Sequence, residues 1–123
     1  MLDAKDYGIL KQIIKRCERI ETKIKNISQN QFYLSEDIIE VICFNLFQIG
    51  ELVSKLSTDF IDKYDRIPWR PIKGMRNKIV HGYDTIDKAI VWNTTEISIP
   101  ILKNYCLEIV DFQRELQDKT IGV

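Results

Sequence analysis

The chain has 123 residues, a length suited to one domain (residues 1–123) that buries a core without disulfides or metal. Lys and Arg total 18 and Asp and Glu total 18, so no global field draws the chain to nucleic acid or membrane, and any nucleic-acid site must be local. Cys17, Cys43 and Cys106 are odd in number and widely spaced, which fits reduced core thiols better than a disulfide framework, and with one histidine no metal centre is expected.

In chain order, the N-terminal Met1-Leu2-Asp3-Ala4-Lys5-Asp6 has no continuous apolar stretch of the signal-peptide kind, so a cytoplasmic location is expected. From Asp3 to about Asn26, Ile9, Ile13, Cys17, Ile20, Ile24 and Ile27 recur at spacings of three and four, the stripe of an amphipathic helix. Asn26 to Leu34 is polar and broken by Ser28, Asn30 and Gln31, and reads as a connection. Ser35 then supplies an N-cap, and Glu36 and Asp37 the first-turn acids, of a second helix.

That helix runs to about Leu56 and carries more apolar residues than one stripe holds. Glu40, Asn45, Gln48, Glu51 and Lys55 interrupt it and argue against a membrane span. A second burial surface is implied: either this is the central helix of a bundle, or its other side is a homodimer face. Asn45, Gln48 and Glu51, as polar inclusions, either line a site or lie on the outer face.

Asp59 to Tyr64 predicts a short helical turn. Ile67-Pro68-Trp69-Arg70-Pro71 reads as a loop entering a third helix over roughly Pro71 to His81, since proline is tolerated only in a first turn. Asp84 is placed to cap a last helical stretch from near Thr85 to about Gln117, kinked or divided at Pro100. The expected fold is all-α, an up-and-down bundle of about five helices.

Chemistry concentrates between Arg66 and Tyr83. Arg66, Arg70, Lys73, Arg76 and Lys78 follow one another with no acid among them, a local positive field in a neutral chain. Such a run is either a solvated face or a phosphate-tracking groove, and Trp69, beside two prolines, either packs on the core or stacks on a base. The run leads into His81. Arginine is a permanent cation whose forked donors fit phosphate oxygens, and histidine is the side chain that exchanges protons near neutrality, so Arg76 and His81 suit phosphodiester chemistry. The plainer reading is a helix that ends in a partly exposed imidazole, with Gly82 as its stop and Tyr83 packing on the turn. In projection the two residues lie about 140° apart and about 7.5 Å along the axis, so convergence on one phosphate depends on the turn at Gly82. Cleavage by a ribose 2'-hydroxyl benefits from both a proton acceptor and a donor, which a symmetric dimer with one histidine per chain would supply.

The Arg76-Asn77-Lys78-Ile79-Val80-His81-Gly82-Tyr83 segment, in its setting Ile67 to Gly74 and with Gln48-Ile49-Gly50-Glu51 upstream, resembles the Arg-x4-His-x-Tyr signature of the HEPN superfamily, in its HepT toxin branch. With Asp87 to Trp92 and the closing helix, the resemblance covers nearly the whole chain. It implies a homodimeric all-α bundle acting as a metal-independent endoribonuclease toxin of a type VII toxin–antitoxin system, without a cofactor of its own. Arg76 and His81 fall on the family's catalytic pair, Asn77 on the supporting polar residue, and Glu51 is a candidate for orienting a site cation. Arg66, Arg70, Lys73, Lys78 and Trp69 are the candidates for holding RNA. The family's partner is a minimal nucleotidyltransferase antitoxin, MntA, which moves AMP from ATP to the motif tyrosine, a role that falls on Tyr83. The rival expectation is a non-catalytic HEPN-type helical module that docks a nucleotidyltransferase or a nucleotide.

Overall fold

The computed structural model describes residues 2–121, and the side chains of these except Tyr83, Thr120 and Ile121. The described residues are almost wholly helical and include no strand. Seven α-helical segments follow in order: α1 (Ala4–Ile24), α2 (Gln29–Leu34), α3 (Glu36–Ser54), α4 (Thr58–Lys63), α5 (Trp69–Val80), α6 (Lys88–Asn93) and α7 (Ile99–Ile121). The three expected helices before His81 are α1, α3 and α5, α4 is the expected short turn, and the last expected stretch is divided into α6 and α7.

Local chemistry sets the boundaries. Asp3 caps α1 by accepting from the amides of Lys5 and Asp6, and Ser35 caps α3 by accepting from Ile38 N. Asn26, with φ 64, ends α1 in the left-handed conformation that asparagine tolerates better than most residues. Two expectations are corrected. The stretch Asn26–Leu34 is not all connection: Ser28 accepts from Gln31 N while the Gln31 side chain accepts from Ser28 N, a capping box that starts α2. Asp84 does not cap the following helix. It lies in a 3-10 turn, Tyr83–Thr85, and Asp87 takes the cap by accepting from Ala89 N. Pro100 acts as expected but one turn early. Its ring cannot face the carbonyl four residues back, and the chain widens into a π-helical turn at Thr94–Ser98 before α7 begins.

The bundle is up-and-down around α1. Arg16 pairs with Asn45 and Asp6 with Ser57, so α1 and α3 are antiparallel. Glu21 pairs with Lys103 and Leu2 with Gln113, so α1 and α7 are antiparallel as well. The stripe Ile9, Ile13, Cys17 and Ile20 is buried between them, each large aliphatic side chain contributing about 1.5–3 kcal/mol. Asp6, 2 % exposed, accepts from both the amide and the hydroxyl of Ser57 and so ties the start of α1 to the cap of α4.

α3 packs on α1 along one flank and on α5 along the other. Most of its apolar excess is therefore met within the chain. Only Val41 and Phe44 remain as exposed large apolar residues on it. Among the described residues no helix is long and apolar enough to cross a membrane.

Candidate functional site

α5 positions the site. It begins two residues earlier than expected, at Trp69, with Pro71 still in the first turn where its missing N–H costs nothing. It stops at Gly82, whose φ of 116 is a conformation few other residues adopt. The Gly82 carbonyl then accepts from the amide and the hydroxyl of Thr85, which closes the turn behind His81.

Arg76 faces α3. Its Nε donates to Glu51 Oε1 at 2.5 Å, its Nη1 donates to Asn77 Oδ1 at 3.1 Å, and its guanidinium carbon lies 6.0 Å from the centre of the Phe47 ring. Two of the three guanidinium nitrogens are thus committed, and Nη2 makes no hydrogen bond among the described residues. The group stays about a third exposed, as does Glu51. A fork held at one edge and open at the other is suited to an incoming phosphate oxygen. Its approach to α3 depends on Gly50, because a Cβ there would lie 2.8 Å from Arg76 Cγ and closer still to Arg76 Cβ.

The rest of α5 divides cleanly. Ile72 and Met75 are buried, whereas Arg70, Lys73, Asn77 and His81 are exposed and, at about 100° per residue, lie within roughly 80° of one another. These residues form one polar, cationic stripe that ends at the imidazole. Arg66 precedes it on the exposed loop, and Lys78 is exposed on its flank. His81 is the C-cap of α5 and makes no side-chain hydrogen bond among the described residues. Arg76 lies on α5 and His81 is its C-cap, and among the described residues no hydrogen bond joins the two side chains. The Tyr83 side chain lies outside the described residues; its backbone begins the 3-10 turn that follows.

Trp69 is corrected from a stacking candidate to a core residue. It is 6 % exposed, its Nε1 donates to the Tyr64 carbonyl at 2.9 Å, and its ring packs against Phe60. The anchoring fits an indole that must satisfy its N–H when buried. Asn45 is also outside this site, buried beside Arg16. Two contributors had no chemical role in the sequence reading: Phe47, and Gly50 as the residue that permits the close approach. The signal for Gly50 was a helix-destabilising residue inside an otherwise strongly apolar helix, a mark of close backbone packing. Among the described residues no three His, Cys, Asp or Glu side chains gather as a metal site.

Residues 13–109, which include every residue of this site, match the family model described as "Ribonuclease HepT-like". The chain is 31 % identical over 105 residues to a candidate RNase of Caldanaerobacter subterraneus, a match covering 85 % of this chain and 94 % of that one. It is 32 % identical over 99 residues to the protein named probable ribonuclease HepT of Thermococcus cleftensis, covering 80 % and 88 %. A candidate RNase of Methanocaldococcus jannaschii is 32 % identical over 103 residues, covering 84 % and 85 %. No solved structure matches significantly. Model and relatives alike span most of the chain, which belongs to the ribonuclease HepT-like family of the HEPN superfamily.

Proposed function

We propose that this chain is the toxin of a type VII toxin–antitoxin pair, a metal-independent endoribonuclease that cuts RNA with Arg76 and His81. The observation that carries the reading is the anchored Arg76, whose Nη2 makes no hydrogen bond among the described residues and lies at the edge of a cationic stripe ending in the exposed His81. Arg70, Lys73 and Lys78, with Arg66 ahead of them, hold the RNA backbone. In the reaction a ribose 2'-oxygen bonds to phosphorus as the bond to the 5'-oxygen breaks. The 2'-hydroxyl proton is taken up and a proton reaches the leaving 5'-oxygen, leaving a cyclic phosphate and a free 5'-hydroxyl. Arg76 steadies the charge on the phosphoryl oxygens, and His81 moves protons. A single imidazole serves one end of this transfer at a time. Function as a homodimer, with a second His81 at the seam, supplies the other.

Silencing fits the same geometry. An AMP group on Tyr83, placed there from ATP by a minimal nucleotidyltransferase antitoxin of the MntA kind, adds a bulky anion two residues from His81. That anion competes for the open edge of Arg76 and blocks the approach of RNA. The chain itself needs no cofactor.

The test is cleavage of a mixed RNA pool in EDTA by protein shown by mass to be unmodified at Tyr83, beside a His81→Ala control. Cleavage by the parent alone is expected. Absence of cleavage by either, with both folded, would favour the non-catalytic module that docks a nucleotidyltransferase or a nucleotide.

A further inference from the structure

The outer side of α1 carries a second cationic site that the α5 chemistry does not use. Lys15, Arg19 and Lys23 recur every fourth residue on one exposed face, and with Arg16 they line an open groove of about 840 Å³ between α1 and α3. One acid, Glu18, lines it with them. Opposite stands Phe44 of α3, 53 % exposed.

Arg16 is held in place here. Its Nη1 donates at 3.3 Å to Oδ1 of Asn45, a side chain only 5 % exposed whose own amide nitrogen is tied to the Val41 carbonyl at 2.8 Å. Its guanidinium carbon lies 5.6 Å from the centre of the Phe44 ring. The arrangement repeats that of Arg76 on the other flank of α3. In both, an arginine from a neighbouring helix is fixed by an asparagine and lies over a phenylalanine of α3, Phe44 in one case and Phe47 in the other. The two differ in that Arg16 is held by an asparagine of α3 and Arg76 by the next residue of its own helix, and in that Arg76 is paired with Glu51 whereas Arg16 makes no ion pair among the described residues. Its charge is therefore available to an outside anion.

We propose that the α1–α3 groove is a second RNA subsite, in which Arg16, Lys15, Arg19 and Lys23 hold backbone phosphates and Phe44 offers its ring to a base. The proposal rests on RNA being the substrate of the α5 site. Charge complementarity selects the occupant. A polyanion with stackable bases matches a cationic trough with one exposed aromatic ring, whereas a second copy docked here by a two-fold axis would set the same four cations against themselves. The position also fits. At ordinary interaxial distances α1 and α5, both packed on α3, lie no more than about 16–20 Å apart, and Phe44 and Phe47, about one turn apart on α3, lead from one arginine to the other. A single strand with its scissile phosphate at Arg76 reaches Arg16 several nucleotides away.

The experiment is equilibrium binding of a single-stranded RNA of about 20 nucleotides, longer than the ~4–16-nucleotide sites typical of such grooves, over a range of salt concentrations. The variants are Lys15→Ala/Arg19→Ala/Lys23→Ala and, as a control for net charge, Lys5→Ala/Lys63→Ala/Lys119→Ala. Each lost phosphate contact lowers the slope of log affinity against log salt by about 0.7, so the groove variant is expected to lose about 2 in slope and on the order of tenfold in affinity, with the control unchanged. Phe44→Leu should lower affinity roughly tenfold with the slope retained, the mark of lost stacking rather than lost charge. Equal losses in both triple variants, no loss in the groove variant, or a change in its oligomeric state by light scattering would overturn the proposal. Failure of the ribonuclease reading shows separately, as a parent that binds the long RNA through the groove yet leaves it and a dinucleotide uncut.

Discussion

Gly50 of α3 and Arg76 of α5 are packed so closely that a methyl group at position 50 would displace the stem of the arginine. An anchored guanidinium thus depends on a residue with no functional group. Gly50→Ala is expected to gain up to about 1 kcal/mol in helix propensity and to lose about 1–3 kcal/mol to overpacking, for a net loss of stability. RNA cleavage should fall by more than that loss explains, because Arg76 shifts. Gly8→Ala is the control: nothing lies within 4 Å of a Cβ there, and this variant should gain stability with cleavage intact. Thermal unfolding and single-turnover cleavage, measured on both, check the pair.

Glu51 should act on activity far more than on stability. Its ion pair with Arg76 is about a third exposed, and pairs of that kind contribute at most about 1 kcal/mol. Misplacing a catalytic group by an ångström costs on the order of 100-fold in rate. Glu51→Ala is therefore expected to lower the cleavage rate between about 10- and 100-fold with little change in melting temperature, and Glu51→Gln, which keeps an acceptor for Nε, to recover part of it. Equal rates in all three proteins would remove Glu51 from the site.

Trp69→Phe separates core from surface. It keeps the ring against Phe60 and removes the donor to the Tyr64 carbonyl, a loss of about 1 kcal/mol. RNA affinity should not change. A fall in affinity at unchanged stability would return Trp69 to the surface that touches RNA.

The buried thiols make a pH prediction. Burial pushes the Cys43 thiol up to about 11 and the Cys106 thiol up to about 12, and it raises the Cys17 thiol as well, helped by Cys106 and Glu21. In the unfolded chain a thiol ionises near pH ~8.5. Below that pH the thiols are protonated in both states and their contribution is fully present. Above it the unfolded chain releases protons that the folded chain keeps, so stability falls as pH rises toward the folded values. The urea midpoint should decline from about pH 8.5 upward, and less steeply when all three cysteines are alanine. Parallel declines in the two proteins would show that other groups carry the effect.

Much of this molecule was legible residue by residue. The 3–4 spacing of Ile9, Ile13, Cys17 and Ile20 marks α1 and its buried face, because helical periodicity is a local property of the chain. Ser35, Gly82 and the first-turn proline of α5 mark helix ends for the same reason. The Ser28 and Gln31 capping box is equally local, but its residues are also those of polar connections, so their types alone do not mark α2. Asp84 and Asp87 are both competent caps, and which one serves depends on the path of the turn after Gly82, which no single residue dictates.

By itself the sequence determined the helical class, the positive run from Arg66 to Lys78 and the Arg76–His81–Tyr83 spacing, since composition, period and spacing are carried along one dimension. Only the tertiary structure decided what those residues meet. It placed α3 between α1 and α5, which brought Glu51 and Phe47 onto Arg76 and, on the other flank, Asn45 and Phe44 onto Arg16. It also sent Trp69 inward, to a carbonyl and an aromatic cluster, rather than outward to a base. Contacts between residues 25 or more positions apart depend on how whole helices dock, and docking is settled by the fit of entire faces rather than by any one side chain.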